Sequence, residues 1–98
     1  MNYKTIDFEI VDKVATIKLN RPEYYNSLNE QMAKELLNVA YECDQNSSIR
    51  CVILTGEGEK AFCSGGDLKS FYEQEENVSR HLKEVTHCLH GAITRFSR

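Results

Sequence analysis

The sequence predicts an α/β fold that opens with a β-hairpin and continues through an amphipathic helix into a strand of a parallel sheet. Apolar and polar residues alternate over residues 3–11 and 14–19, the pattern of two half-buried strands. Residues 51–54, CVIL, form a continuous apolar run, which is typical of a parallel strand covered on both faces. The order strand, helix, strand predicts a βαβ crossover.

The length of 98 residues fits one small domain, and 41% hydrophobic with 28% charged residues is typical of a globular chain. The formal net charge of -3 excludes a general attraction to nucleic acid or to an anionic membrane, so an anionic ligand must rely on local cations. The N-terminus has no signal-peptide pattern and no run reaches transmembrane length, so we expect a cytoplasmic protein.

Local signals fix the expected elements. Asp12-Lys13 is short enough to close the hairpin, and Pro22 ends the second strand. A helix should begin at a capping box over residues 27–30, or with Asn29 as its N-cap, and should end near Asp44. Its apolar residues at helical spacing are Met32, Leu36, Val39, Ala40 and Cys43.

Two further helices are expected after the CVIL strand. Residues 56–59 form a turn, residues 61–63 a short extended segment, and a helix begins at Asp67. A longer helix follows over residues 78–96, and its apolar face needs a partner that the sequence does not identify. That face comprises Leu82, Val85, Leu89, Ile93 and Phe96. An uncovered face of this kind favours self-association.

The four cysteines contain no C-x-x-C pair and accompany no export signal, so four reduced and mostly buried thiols are expected.

The segment AFCSGGDL, residues 61–68, has the composition of a turn that presents backbone amides. Gly65-Gly66 permits backbone conformations closed to other residues, so the Gly66 N–H can point into a cleft. Asp67 can cap the helix that follows, and a helix N-terminus favours a negatively charged oxygen. This is one half of an oxyanion hole, although Gly-Gly-Asp before a helix is also a common way to turn a corner.

Three segments together resemble the enoyl-CoA hydratase/isomerase (crotonase) family: VATIKLNRPEYYNSL, MAKELLNVA and CVILTGEGEKAFCSGGDL, in this order across residues 14–68. The resemblance implies a crotonase-like spiral of ββα and βαβ units of which the chain, residues 1–98, is the truncated and incomplete N-terminal part of one domain. Members bind acyl-coenzyme A and polarise the thioester carbonyl with two backbone amides, so that an enolate can form.

Carried over by position, the Gly66 N–H is the first oxyanion amide, and coenzyme A enters as part of the substrate, with no separate cofactor and no metal. The resemblance further implies ligand contacts along two segments, at Tyr24, Tyr25, Ser27, Ser64, Gly65, Asp67, Leu68 and Lys69. The Tyr pair has the alternative of packing on its own domain. Arg21, Lys60 and Lys69 are candidate phosphate partners or merely solvated cations.

The second oxyanion amide and the catalytic carboxylates of the family belong to motifs that the sequence does not contain. One amide polarises a carbonyl only in part, so we expect the 98-residue chain to be inactive by itself. The competing interpretation is a non-catalytic acyl-CoA-binding or interaction module. The expected assembly is a homo-oligomer, as the resemblance implies trimers or dimers of trimers for full-length family members, and neither nucleic acid nor membrane is an expected partner.

Two other interpretations of the sequence are weaker. The GEGEK turn at residues 56–60 follows a strand as phosphate-binding loops do, but it lacks their G-x-x-x-x-G-K-[ST] spacing and carries two acids. His81, His87, Cys88 and His90 cluster on the last helix, where His87 and His90 are three apart and share a face, but two ligands are too few for a closed metal site.

Overall fold

A computed structural model describes residues 3–65 and 78–96. Strands β1 (Ile6–Val11) and β2 (Val14–Leu19) form an antiparallel hairpin, and strand β3 (Cys51–Gly56) pairs in parallel with β2. Helix α1 (Glu30–Gln45) connects β2 to β3, and helix α2 (Val78–Phe96) packs against α1. The predicted hairpin, the βαβ crossover and the α/β class are confirmed.

The hairpin turn is built from two non-glycine residues in the left-handed region. Asp12 has φ 49° and Lys13 has φ 71°, the conformation of a type I′ turn, whose twist matches that of the flanking strands. Asp tolerates this region better than most residues, whereas Lys has no short polar side chain to offset the steric cost. The carbonyl of Lys13 also accepts from the Arg50 amide at 2.8 Å, so the turn helps to position the start of β3.

Helix α1 provides most of the core. Asn29 is its N-cap and accepts from the Met32 amide at 2.8 Å, so the second of the two predicted caps is correct and Ser27 lies outside the helix. The buried residues of α1 cover one face of β1 and β2, and the core cluster joins them to Ile6, Ile17, Leu19, Leu28, Val85, Cys88 and Ala92. Because β1 and β2 lie under α1, strand β3 is left at the margin of the core.

Strand β3 is therefore not covered as its apolar run predicts. Ile53 is 47% exposed and Leu54 is 41% exposed, although they point to opposite faces of the sheet. Within the described part of the chain, β3 pairs with β2 alone and forms the sheet edge opposite β1. Residues beyond those described, or another chain, would have to cover it. The prediction of a strand buried on both faces is wrong for this structure.

Helix α2 begins and ends where the sequence predicts, but it has a partner. Its buried residues Val85, Cys88 and Ala92 pack on α1, so the expectation of an uncovered helix is wrong. The buried face is also rotated from the predicted one, since Ile93 is 63% exposed. Close contact at Gly91 explains the rotation, because a Cβ there would lie 2.8 Å from Leu37 Cδ1.

The thiols are free, but only Cys88 is buried, while Cys43 and Cys63 are half-buried and Cys51 is exposed. The expectation of mostly buried thiols is thus wrong, because Cys51 lies at the start of the poorly covered β3. None of the helices in residues 3–65 and 78–96 has the length and apolar character needed to cross a membrane.

A buried carboxylate fixes the N-terminal segment to α1. Glu35 accepts from the Thr5 amide at 2.8 Å, from the Thr5 hydroxyl at 2.7 Å and from the Lys4 amide at 3.0 Å, and Gln31 donates to it as well. These amides are unavailable to the sheet, which is why β1 begins at Ile6 and not at the predicted residue 3. Burial alone raises the pKa of Glu35, but the hydrogen bonds from Gln31, Thr5 and Lys4 outweigh it and lower the pKa below 4.5.

We expect Glu35→Gln to destabilise the chain by about 1–3 kcal/mol, because buried donors lose a charged acceptor. The lowered pKa of Glu35 also predicts a pH dependence. Its contribution is complete above the unfolded-state pKa near 4.5 and is lost as the pH falls through the folded-state value. Urea unfolding at pH 7 and at pH 3 measures both effects, and the variant should lose less stability than the wild type on acidification.

Glu9→Gln is the matched control for Glu35→Gln, since Glu9 is exposed on β1, and it should change stability by less than about 0.5 kcal/mol. Equal stability of the Glu35 variant and the wild type at pH 7 would show that the carboxylate contributes nothing.

Lys13→Gly should stabilise the chain by about 1 kcal/mol, because glycine removes the left-handed strain at the second turn position. Thermal and urea unfolding of the chain measure this change. Lys4→Gly serves as the control, since Lys4 has no positive φ and glycine there only adds unfolded-state entropy. A Lys13 variant that is destabilised as much as the Lys4 variant would contradict the strain argument.

Candidate functional site

The candidate site lies where two parallel strands end side by side. The last residues of β2 and β3, Leu19 and Gly56, are paired in register, so the loops that follow them leave the sheet at the same edge. Ligands of α/β proteins commonly bind outside the carboxyl ends of parallel strands. We call residues 20–29 the first loop and residues 57–65 the second loop.

The first loop is compact and has a polar interior. A 3-10 helix, Pro22–Tyr24, is followed by Tyr25 and Asn26, which both have φ near 55°. The Arg21 guanidinium is buried, donates to the Ser27 carbonyl and hydroxyl, and lies 4.6 Å from the centroid of the Tyr24 ring. Arg21 is therefore engaged within its own loop, which disfavours its predicted role as a phosphate partner.

Asn26 joins the two loops. Its side chain is fully buried at 0% exposure, and its Oδ1 accepts from the Arg21 amide at 2.7 Å. Its Nδ2 donates to the carbonyls of Glu57 at 3.0 Å and Ala61 at 2.9 Å. One amide side chain thus satisfies three backbone groups on two segments, as buried polar groups require.

The close approach of Asn26 requires glycine at the end of β3. A Cβ at Gly56 would lie 2.9 Å from Asn26 Nδ2 and 2.5 Å from the Phe62 carbonyl oxygen. The second of these contacts is with backbone, so a side chain at position 56 would move the second loop. The glycine and the asparagine therefore form one packing unit.

Two backbone hydrogen bonds complete the connection between the loops. The Ser64 amide donates to the Tyr25 carbonyl at 3.1 Å, and the Leu28 amide donates to the Gly65 carbonyl at 2.6 Å. Gly65 has φ 106° and is exposed, and a Cβ at this position would meet no atom within 4 Å, so its backbone turns outward at the surface. The predicted turn is thus held against the first loop up to Gly65.

The structure brings several of the predicted site residues together. Tyr25, Ser64 and Gly65 are joined by the bonds just described, and Tyr24 and Tyr25 are both about half exposed. The side chain of Ser27 is buried against Arg21, which gives it a structural partner. Gly66, Asp67, Leu68 and Lys69, and the helix predicted to begin at Asp67, lie outside the described residues.

A cleft of about 360 Å³ lies between the two loops, with Pro22, Glu23, Tyr25, Asn26, Glu57, Gly58, Glu59, Lys60 and Ala61 as its lining. Lys60 Nζ lies 5.6 Å from the centroid of the Tyr25 ring, and Glu57 forms an ion pair with Lys18 at 3.2 Å. The carboxylates outnumber the single lysine of this lining. This cleft is consequently a poor phosphate site. Its acidic lining also disfavours a phosphate-binding role for the GEGEK turn.

The other rival site is a metal centre on α2. His87 and His90 are exposed, whereas Cys88 is buried. No group of three His, Cys, Asp or Glu side chains in the described part of the chain is arranged to hold a metal ion.

The role of Asn26 was not predicted from the sequence. Its position inside the N-R-P-x-x-x-N-S-L element was a usable signal, because an asparagine flanked by turn residues often replaces a backbone partner. The carbonyls that it contacts lie 31 and 35 residues away, and no local pattern indicates them.

Asn26→Ala should destabilise the chain by about 2–4 kcal/mol, because three backbone groups lose their partner in a buried site. Urea unfolding measures the loss, and amide hydrogen exchange should show faster exchange at Arg21 and Ser64. Asn20→Ala is the control, since the Asn20 side chain bonds to Asp7 at an exposed position. A loss no larger than that of the control would contradict the bridging role of Asn26.

The chain matches a protein family over most of its length. The family model described as enoyl-CoA hydratase/isomerase matches residues 9–96. The putative enoyl-CoA hydratase/isomerase YngF of Bacillus subtilis is 48% identical over 66 residues, which are 67% of this chain and 25% of that protein. A probable enoyl-CoA hydratase of Rhodobacter capsulatus is 39% identical over 93 residues, which are 95% of this chain and 35% of the relative.

Solved structures show the same fold. The crystal structure of enoyl-CoA hydratase from Bacillus halodurans superposes on this chain with a TM-score of 0.80 at 26% identity. The superposition covers 94% of this chain and 37% of the Bacillus halodurans chain. This chain therefore spans about a quarter to about a third of the curated relatives. The match over residues 9–96 and the shared fold establish that the chain belongs to the enoyl-CoA hydratase/isomerase family.

Proposed function

We propose that this chain provides the thioester-binding half of an acyl-CoA hydratase or isomerase site. The observation that carries the proposal is the locked pair of loops: Asn26 and the two backbone bonds hold the second loop so that Gly65 turns outward immediately before Gly66. A backbone amide can polarise a carbonyl only if it is held in place before the substrate binds. The loop pair supplies that rigidity.

The Gly66 N–H is the proposed donor to the thioester oxygen. As the carbonyl polarises, negative charge develops on this oxygen, and a fixed N–H stabilises that charge without reorganisation. A helix beginning at Asp67 would add the positive end of its dipole. Coenzyme A belongs to the substrate in this proposal, with Tyr24, Tyr25 and Ser64 on its side of the turn and Lys69 near its phosphates.

Tyr24 and Tyr25 are suited to cover an apolar part of the ligand. Both rings are half exposed, and each has a cation beside it, Arg21 for Tyr24 and Lys60 for Tyr25. These cations hold the rings at the loop surface, where they remain accessible. Lys60 lines the same cleft as Glu57 and Glu59, and these carboxylates oppose its use as a phosphate partner.

The reaction itself is proposed to require more than the 98 residues. A single amide polarises the carbonyl in part, whereas proton transfer or water addition needs a positioned acid or base. Enolate chemistry is therefore proposed for the assembled family fold, with homo-oligomers as the expected assembly. A non-catalytic acyl-CoA-binding module is the alternative for the chain alone.

Binding through the amide is tested with butyryl-CoA, a saturated thioester that cannot react. Isotope-edited infrared difference spectra of its carbonyl should show a shift to lower frequency in the presence of the chain, because an N–H donor weakens the C=O bond. Gly66→Pro removes that donor and should abolish the shift. Glu59→Pro, in the exposed turn before it, controls for the general effect of a proline and should retain the shift.

An unshifted carbonyl in a butyryl-CoA complex of the wild-type chain would contradict the amide contact. Turnover of crotonyl-CoA, followed by loss of its enoyl absorbance, tests the second half of the proposal. We expect no turnover above the uncatalysed rate, and hydration by the purified chain would show that it holds a complete active site. Binding of butyryl-CoA without turnover is the result expected of half a site and of the module alike.

A further inference from the structure

A second cavity lies between α1 and α2 and shares no lining residue with the two loops of the candidate site. Its volume is about 500 Å³, which falls in the range of small-ligand sites. Leu37 and Gly91 provide an apolar wall where the helices approach most closely. A Cβ at position 91 would lie 2.8 Å from Leu37 Cδ1, so the glycine keeps this part of the groove narrow and apolar.

The polar lining of this groove is cationic. Lys34 comes from α1 and Arg95 from α2, and the other polar lining residues are Asn38, Tyr41 and His87. None of these seven lining residues carries a carboxylate, although the formal charge of the whole chain is -3. Lys34 is partly neutralised by Glu30, at 3.0 Å, which leaves Arg95 as the main charge in the groove.

Arg95 has an unused donor. Its Nε atom is buried and has no hydrogen-bond partner among the described residues. The guanidinium lies 5.5 Å from the centroid of the Tyr41 ring, and Nη1 would lie 3.9 Å from a Cβ at position 91, so the group extends over the wall of the groove. Because Nε has almost no accessible surface, a ligand in the groove would have to bind the Nη groups of the same guanidinium.

We infer that this groove is a binding site for a small organic anion. A carboxylate or phosphate group would accept from the Arg95 guanidinium, whose fork of donors matches the paired oxygens of either group. The apolar part of the same ligand would lie on Leu37 and the Tyr41 ring. The site is independent of the thioester turn, so either proposal can fail without the other.

The test is a titration of the 15N-labelled chain at pH 7 with three probes that share a ring: benzoate, phenyl phosphate and neutral benzyl alcohol. Saturable shifts of the Gly91 and Tyr41 amides are expected with at least one of the two anions. The anion that binds more tightly identifies the preferred group. Benzyl alcohol should bind at least about tenfold more weakly, because it has no charge for Arg95.

Arg95→Gln removes the charge and should weaken anion binding about tenfold or more. Lys83→Gln removes the same charge from an exposed position of α2 that does not line the groove, and should change the affinity by less than about twofold. If Arg95→Gln does not fold, as judged by circular dichroism, Arg95→Lys keeps the charge but loses the forked donors and should still weaken binding.

Three results would overturn the inference. One is the absence of saturable shifts with both anions. Another is equal binding of benzyl alcohol, which would indicate an apolar groove without anion selectivity. The last is equal weakening by the Arg95 and Lys83 variants, which would indicate a general electrostatic effect of α2.

Discussion

The amide side chain of Asn26 is the contact on which the arrangement of the candidate site depends. The sheet brings two loop origins together at Leu19 and Gly56, but register alone does not determine how the loops continue. Asn26 fixes the position of the second loop against the first. Its side chain accepts one hydrogen bond and donates two, and these bind three backbone groups that would otherwise be buried without partners. The match is complete in number, so the loops have few alternative spacings that satisfy it.

A similar use of polar side chains recurs elsewhere in the chain. Glu35 binds the amides of the N-terminal segment to α1, and Arg21 binds the carbonyl of Ser27 within the first loop. In each case a buried side chain takes the place of a backbone partner where the chain is neither helix nor strand. The apolar core under α1 provides the driving force for folding, while these polar contacts determine how the irregular segments are placed against it.

The regular elements could be predicted from the sequence because their signals are periodic and local. Alternation predicted β2, the spacing of apolar residues predicted α1, and the bounds of α2 agree with its pattern. The covering of β3 could not be predicted, since a continuous apolar run indicates only that a strand suits burial on both faces. The rotation of α2 was missed for a related reason, because it depends on the contact of Gly91 with Leu37.

The site could be predicted only in part. The order of the motifs placed Tyr25 and Ser64 in one region, and the structure joins them by a hydrogen bond. The role of Asn26 could not be read from the sequence, because two of its three partners, the carbonyls of Glu57 and Ala61, lie more than thirty residues away and carbonyl groups have no sequence signature. Ser27 was predicted to contact the ligand because of its place in a family motif. In the structure its hydroxyl accepts a hydrogen bond from Arg21 and so stabilises the first loop.

Among residues 3–65 and 78–96, no strand pairs with the second edge of β3, and this has a consequence for the behaviour of the chain in solution. A short apolar strand with an unpaired edge is a template for addition of a foreign strand, which is the first step of many aggregation processes. The chain places charges at both ends of this segment, Arg50 before it and Glu57 after it. Such flanking charges oppose stacking of like strands, and here they act as gatekeepers for Ile53 and Leu54. The charges of Arg50 and Glu57 therefore oppose aggregation through β3 as long as Ile53 and Leu54 are exposed.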